Sequence, residues 1–481
     1  MMPSVPSLVV AVPLLAMIVL ALVPQWRTAA WINLGAAALA FALACRLPWQ
    51  GSAAGSWLLA DPLAVHLVLL TSFVGLTSAW YSRFYVAAEV AAGRLDGPRL
   101  RLYHAMFQAL LGFMLLAILS DNIGVTWVAV EAGTIAAVLV VGLPNTVDAA
   151  RASWKFFILA GVGIALALFG TIVLYLAASP ALGPGWEAMT WSALLRAAPR
   201  CNGAVLNLAF VFLLLGYGTK AALVPLHAWM PDAHAQGPTP VNAILSSSLL
   251  NVALFIILRL RGLMDDNADA IAPGGPIMAL GLASVLVGSF SLWRRRDVVR
   301  FFSFSTIEQS GLAAFAFGLG GAAATFAGLL HLTLHTLAKA SVFQIVGRAA
   351  QAKGAQDFTS IGGQLLHDRI AGLTLAAGVI AVAGLPPFGL FTSEFLVVMQ
   401  TVHLAPIAVA PLLLGMVGGA WVLIARLQSL SLGTGQPDQQ ASFPVVGLAG
   451  AWVHLALVLV LGLAMPAAVV TWMQGIAAVA R

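Results

Sequence analysis

Apolar runs of about 20 residues recur along the whole chain, separated by short polar stretches. Each is long enough for a helix to cross the hydrocarbon of a bilayer. The runs predict 14 spans, near 6–24, 28–45, 61–82, 104–119, 122–142, 154–178, 205–224, 240–260, 275–293, 300–319, 322–347, 369–400, 405–428 and 444–473, with the twelfth interrupted. No basic residue precedes the first run, so it reads as a span rather than a signal peptide. No long polar domain breaks the series. The pattern therefore predicts an all-α polytopic membrane protein folded as one bundle.

Against this background the polar residues inside the runs carry the information. The stretch GYGTKAALVPLHAWMPDAHAQGPTP at 216–240 sets Lys220 in an apolar helix and then breaks that helix at Pro225. Proline has no backbone N–H, so the carbonyl of Ala221 loses its usual donor. Non-helical backbone at membrane depth persists only where protein or a water-filled cavity satisfies it. A charge beside such a break points to an ion pathway. His227, Asp232 and His234 follow the break. Two histidines and one acid across two prolines are a poor metal motif and fit capping of the freed backbone better; His227 is kept as a weak relay candidate.

Other runs contain further polar positions. Glu131 lies near the middle of the fifth, where a lone acid costs about 2.5–3.5 kcal/mol on insertion scales. It can act as polar glue between helices, but a relay role suits it better. In the eighth, Ser247, Ser248 and Asn251 form a stripe that interhelical hydrogen bonding or a water wire explains equally well. The tenth carries Glu308 among Ser305, Thr306, Gln309 and Ser310. In the eleventh, His331, His335 and Lys339 are spaced i, i+4, i+8 and so line one helix face. Histidine exchanges protons near neutrality, so that stripe can pass them. The twelfth, AGLPPFGLFTSEFLV, is a second broken helix: Pro386 and Pro387 free the carbonyls of Val382 and Ala383, and Glu394 follows. Asp61 and His66 sit at the start of the third span, where interfacial solvation is cheap. The loop 83–103 reads as a solvated face, Arg151 and Lys155 as snorkelling end residues, and His403 and His454 as interfacial or packing residues.

Composition agrees: 61% of residues are hydrophobic and 8% charged, against roughly 25% charged in soluble domains. The net charge of +6 is explained by topology rather than by a nucleic-acid partner. Arg27, Arg83, Arg94, Arg99, Arg101, Arg151, Lys155, Arg294, Arg295, Arg296, Arg300, Arg348, Lys353, Arg369 and Arg426 fall in odd-numbered loops. Only Arg46, Arg196, Arg200, Arg259, Arg261 and Arg481 fall on the other side. The positive-inside rule then predicts cytoplasmic odd loops and both termini outside. Cys45 and Cys201 form no paired motif, and no glycine-rich nucleotide fingerprint is present. No cofactor or metal site is expected, so any coupled redox chemistry must sit on another subunit.

Glu131 precedes Lys220 by 89 residues, and Glu308 precedes Glu394 by 86. Each acid is followed two spans later by a charge beside a proline break. The units begin five spans apart and would face opposite ways, the layout of an inverted repeat with discontinuous helices. The expected divisions are scaffold helices at 1–100, a first repeat at 101–262, a second at 274–428 and a C-terminal helix at 429–481.

These motifs have a family likeness. Glu131, K-A-A-L-V-P-L-H-A-W-M-P-D-A-H at 220–234, H-x-x-x-H-x-x-x-K at 331–339 and G-L-P-P-F-G-x-F-x-S-E-F at 384–395 resemble the antiporter-like subunits of respiratory complex I, membrane-bound hydrogenases and multisubunit cation/proton antiporters. Glu308 in S-T-I-E-Q-S-G adds a similarity to the F-type component of hydrogenase-4 and formate hydrogenlyase-type complexes. The resemblance implies a fourteen-helix proton-translocating subunit of the bacterial inner membrane, conducting through Glu131, Lys220, Lys339 and Glu394. His331, His335 and Glu308 would support the relay. Implied partners are other membrane subunits, peripheral redox subunits reached through them, the lipid bilayer, and protons or sodium ions. Asn251 stands where many relatives carry a lysine, and the chain stops after span fourteen without a lateral helix. The alternative is a transport subunit of a sodium/proton antiporter or inorganic-carbon uptake assembly. A quinone-reducing enzyme and a passive membrane anchor fit less well, the first for want of cofactor motifs and the second because a scaffold needs no buried charge.

Overall fold

The computed structural model describes residues 4–50, 57–436 and 444–479. Arg481, counted above among the outer charges, lies outside them. The described residues form helices and turns, with three isolated bridge contacts and no named strand. Twelve helices are long and apolar enough to cross a membrane, or 13 if Phe358–His367 and Arg369–Val382, bent by 118°, make one span. Val298–Leu319 is 22 residues long and is not one of those 12. It carries the polar stretch around Glu308, and the bundle accommodates it by burying almost every residue of it. With this helix and the broken span Arg369–Val382 plus Gly389–Leu404, the architecture is that of about fourteen rods.

Local chemistry sets the helix starts. Asp61 Oδ1 accepts the amide of Ala64 at 2.8 Å just ahead of Pro62, and Asn122 Oδ1 accepts those of Gly124 and Val125. Asp297 Oδ1 likewise accepts from Arg300 at 2.8 Å. Each side chain satisfies amides that a helix start leaves free.

Several helices outrun the apolar runs that predicted them. Pro62–Ala91 and Val147–Leu182 extend past the expected ends, because a helix need not stop where hydrocarbon does. Residues 83–91 are thus helical, not a solvated loop. Glu89 is buried, paired with Arg94 at 2.6 Å and bonded by Gln351 Nε2 at 2.6 Å. His66 is not solvated at an interface either: it is buried with Nε2 2.9 Å from Thr333 Oγ1. The single run 444–473 divides into Val445–Leu463 and a short helix, Ala467–Val479, either side of Pro466.

Thr239–Asp265 and Gly321–Lys353 are buried over their whole apolar windows and form the centre of the bundle. Outer helices such as Val5–Leu22 and Pro406–Leu432 present Leu22, Val417 and Trp421 outward, as lipid-facing helices do. Between Val147–Leu182 and Gly203–Lys220 the backbones touch: a Cβ on Gly216 would lie 2.6 Å from Ala167 Cβ. Small residues permit such close crossings in membranes. The Val224–Pro225 and Pro386–Pro387 peptide bonds, one at each break, are cis.

Candidate functional site

Lys220 is the last residue of Gly203–Lys220, where the negative end of the helix dipole favours a cation. Its side chain is fully buried; Nζ lies 3.4 Å from Glu131 Oε2 and donates to Thr134 Oγ1 at 2.9 Å. Glu131 and Thr134 sit three residues apart on Ile123–Val141 and so share a face. The chain then turns through 221–229 before Met230–Gln236. The turn's backbone finds its partners on two later helices. Ser310 Oγ donates to the freed Ala221 carbonyl at 2.8 Å, and the Val224 amide donates to Ser284 Oγ at 2.8 Å. Trp229 Nε1 closes on the Thr219 carbonyl at 2.8 Å, and its ring stacks on Phe156 at 4.4 Å.

The histidine stripe lies at the core of the bundle. His331, His335 and Lys339 are all buried on Gly321–Lys353. The two imidazoles are parallel within 6°, their centres 6.2 Å apart. Lys339 Nζ donates to the Phe302 carbonyl at 3.0 Å and stands 5.6 Å above the Phe302 ring. His331 Nδ1 is 3.1 Å from Ser393 Oγ, the neighbour of Glu394 on Gly389–Leu404. The stripe therefore reaches from a lysine to the helix that carries the second acid. Nε2 of both histidines is buried without a hydrogen-bond partner.

Asn251 is buried on the neighbouring central helix and donates to Thr336 Oγ1 at 2.8 Å. It is thus tied to the stripe, one residue from His335. Just before it, Leu245–Leu249 form a π-helical turn, a feature that recurs at functional sites. It also alters the expected stripe, since Ser247 bonds back to the Ala243 carbonyl while Ser248 Oγ is left buried and unpartnered.

Glu308 and Glu394 face one small cavity beside the second break, together with Gln309, Val382 and Ala383. Glu308 is also within electrostatic reach of Lys339. His227 is only half-buried, with its ring against Phe304, and stands apart from the stripe. His234 is the residue that motif spacing undervalues. It is fully buried edge-on to Phe343, within electrostatic reach of Lys339, and both ring nitrogens lack partners. Asp232, expected to cap freed backbone, instead bridges Lys155 at 2.7 Å and Arg300 at 3.1 Å. Thr134 and Ser284 had no sequence signal beyond being hydroxyls in apolar helices, and Ser310 stood out only as part of the polar stretch around Glu308.

Comparison with known proteins agrees with this architecture. The family described as NADH:quinone oxidoreductase/Mrp antiporter, TM, matches residues 120–418. A protein named hydrogenase-4 component F homolog, from Methylacidiphilum infernorum (isolate V4), is 42% identical over 467 residues, covering 97% of this chain and 98% of that one. A chain of the membrane-bound sulfane sulfur reductase, an archaeal respiratory membrane complex, superposes with TM-score 0.84 at 22% identity, over 99% of this chain and 97% of its own. A chain of respiratory complex I from Thermus thermophilus superposes with TM-score 0.83 at 20% identity, over 99% of both chains. These structural likenesses concern the fold.

Proposed function

Since the chain belongs to the NADH:quinone oxidoreductase/Mrp antiporter transmembrane family, we propose that it is the proton-translocating, non-redox membrane subunit of a multisubunit complex of the hydrogenase-4/formate hydrogenlyase or NADH–quinone oxidoreductase kind. The observation that carries this reading is the Glu131–Lys220 ion pair at the end of a broken helix. Elsewhere in the bundle a buried stripe of His335 and His331 leads from Lys339 to the Ser393–Glu394 segment. The near full-length match to a hydrogenase-4 component F homolog supports the type of complex.

Opposite charges at about 4 Å attract by roughly 4 kcal/mol at an effective dielectric of 20, so drawing Glu131 away from Lys220 costs that energy and weakens the lysine's hold on its proton by nearly three decades. The ammonium, deprived of its counter-charge, passes its proton inward by way of water and His234 toward Lys339. From there His335 and His331 hand it to Glu394, with Glu308 adjusting the charge balance beside it. Asn251 holds the stripe helix through Thr336 and does not itself titrate, so the middle of the row depends on histidines and water.

The two repeats, 101–262 and 274–428, are inverted in this reading, each contributing one acid and one broken helix. The protein sits in the bacterial inner membrane with its arginine-rich loops on the cytoplasmic side and its termini outside. Redox chemistry belongs to peripheral subunits that reach it through neighbouring membrane subunits. The test is the Lys220→Ala variant of the assembled complex in sealed vesicles: substrate-driven proton uptake should fall at least tenfold. Pumping at the wild-type rate would overturn the proposal.

A further inference from the structure

One ion pair stands outside the row of relay residues. Asp61, the cap of Pro62–Ala91, accepts from Arg259 Nη2 at 2.7 Å. Arg259 belongs to the central helix Thr239–Asp265, and its side chain is 6% exposed against 25% for Asp61. Its guanidinium makes that single hydrogen bond among the described residues, and Nε is buried without a partner. Arg261, two residues on and as deeply buried, gives the contrast. It donates from Nη1 to the Phe317 carbonyl at 2.8 Å and pairs through Nε with Asp265 at 3.1 Å. The burial of Arg261 needs nothing further, whereas buried N–H groups left unspent on Arg259 call for an acceptor.

Arg259 and Asp61 line a pocket whose wall is otherwise hydrocarbon, with Leu63, Leu195, Leu258 and Ile476 among its residues. Its free volume is about 80 Å³, room for roughly three groups of water's size. Pro62 and Ile476 also line a wider groove of about 540 Å³ along the short helix Ala467–Val479, beside Trp472 and Gly475. A tryptophan at such a place is typical of the membrane–water boundary. The pocket holds one charge of each sign, so it complements a zwitterion better than an anion. Phosphate is a natural partner for the forked guanidinium, and a primary ammonium can donate to the remaining lone pairs of the Asp61 carboxylate. The C–C–N arm of ethanolamine matches the pocket's size. Choline's methyl groups exceed it and supply no N–H, and a glycerol headgroup brings no positive charge to Asp61.

We propose that this pocket and groove hold one phospholipid with an ethanolamine phosphate headgroup, its ammonium on Asp61, its phosphate on Arg259 and a fatty chain along Trp472 and Ile476. The lipid joins Ala467–Val479 to the helices of Asp61 and Arg259. The site shares no residue with the proton row and does not depend on it.

Native mass spectrometry of the delipidated full chain, titrated with phosphatidylethanolamine, phosphatidylcholine and phosphatidylglycerol of matched chains, reads the site. One phosphatidylethanolamine per chain should bind at least tenfold more tightly than either of the others. Asp61→Asn should abolish the preference over phosphatidylglycerol. Gly475→Leu adds a side chain where a Cβ meets nothing within 4 Å, so it fills the groove without straining the fold. It should weaken phosphatidylethanolamine binding several-fold, and it keeps the test decisive if the Asp61 variant fails to fold. Gly35→Leu, at an equally open position that does not line the groove, should bind like the wild type. Equal affinity for the three lipids, or wild-type binding by the Gly475 variant, would overturn the site.

Discussion

The two helix breaks use one backbone device and arrive at opposite chemistry. At the first, the charge is a lysine belonging to the chain, and the opened backbone is sealed by Ser310, Ser284 and Trp229. At the second, the charges are carboxylates, and no side chain among the described residues caps the carbonyls of Val382 and Ala383. A break that carries its own cation can be closed with hydroxyls. One that carries acids is balanced by protons or by a more distant cation, and Glu308 lies within electrostatic reach of Lys339. The same helix pair, Gly274–Leu292 and Val298–Leu319, supports both. Ser284 and Ser310 face the first break, while Val285, Glu308 and Gln309 face the second. Adjacent residues thus serve opposite ends of the row, which gives the two breaks a physical connection.

The largest effect expected from that contrast is an asymmetry under charge reversal. Lys220→Glu would put two acids in the sealed site, and unpairing a buried charge costs about 3–5 kcal/mol. Fluorescence-detected size-exclusion chromatography should then find little folded protein. Glu394 is half-buried and shares its cavity with Glu308, so Glu394→Lys would exchange two neighbouring acids for an opposite-charge pair and should fold and elute like the wild type. Equal tolerance at both breaks would dissolve the contrast. Next in size is Ser310→Ala, which strips the cap from the Ala221 carbonyl. Leaving a buried acceptor unsatisfied costs about 1–3 kcal/mol, to be read as a lower melting temperature in nanodiscs that Gln309→Ala does not reproduce. The smallest is Asp232→Asn, which cuts the bridges to Lys155 and Arg300. These partners are 27–42% exposed, and such pairs are worth at most about 1 kcal/mol. A melting shift as large as that of Ser310→Ala would mean that the bridge, not the sealed break, holds the halves together.

What was legible in the sequence was whatever violated the apolar background. Glu131, Lys220, Lys339 and Glu394 stood out because lipid makes charge expensive, and Pro225 and Pro386 because a helix cannot hide a missing amide. The stripe at 331, 335 and 339 followed from helical spacing alone. The rest depended on approach between distant segments. Nothing in the local pattern says that Ser310 will meet Ala221, that Glu308 and Glu394 will share a chamber, or that His234 will be stranded with both nitrogens bare. Counting apolar runs also stops a helix where hydrocarbon ends, which is why Glu89 was read as solvated and is found buried against Arg94 and Gln351.

The central claim is that a continuous hydrophilic path joins the two breaks through the middle of the bundle. A high-resolution cryo-electron microscopy map of the assembled complex in lipid tests it most directly, by the density around the bare nitrogens of His234, His335 and His331. The account predicts ordered water bridging Lys220 to Lys339 and His331 to the Glu394 carboxylate. Dry, close-packed hydrocarbon around those nitrogens would contradict it.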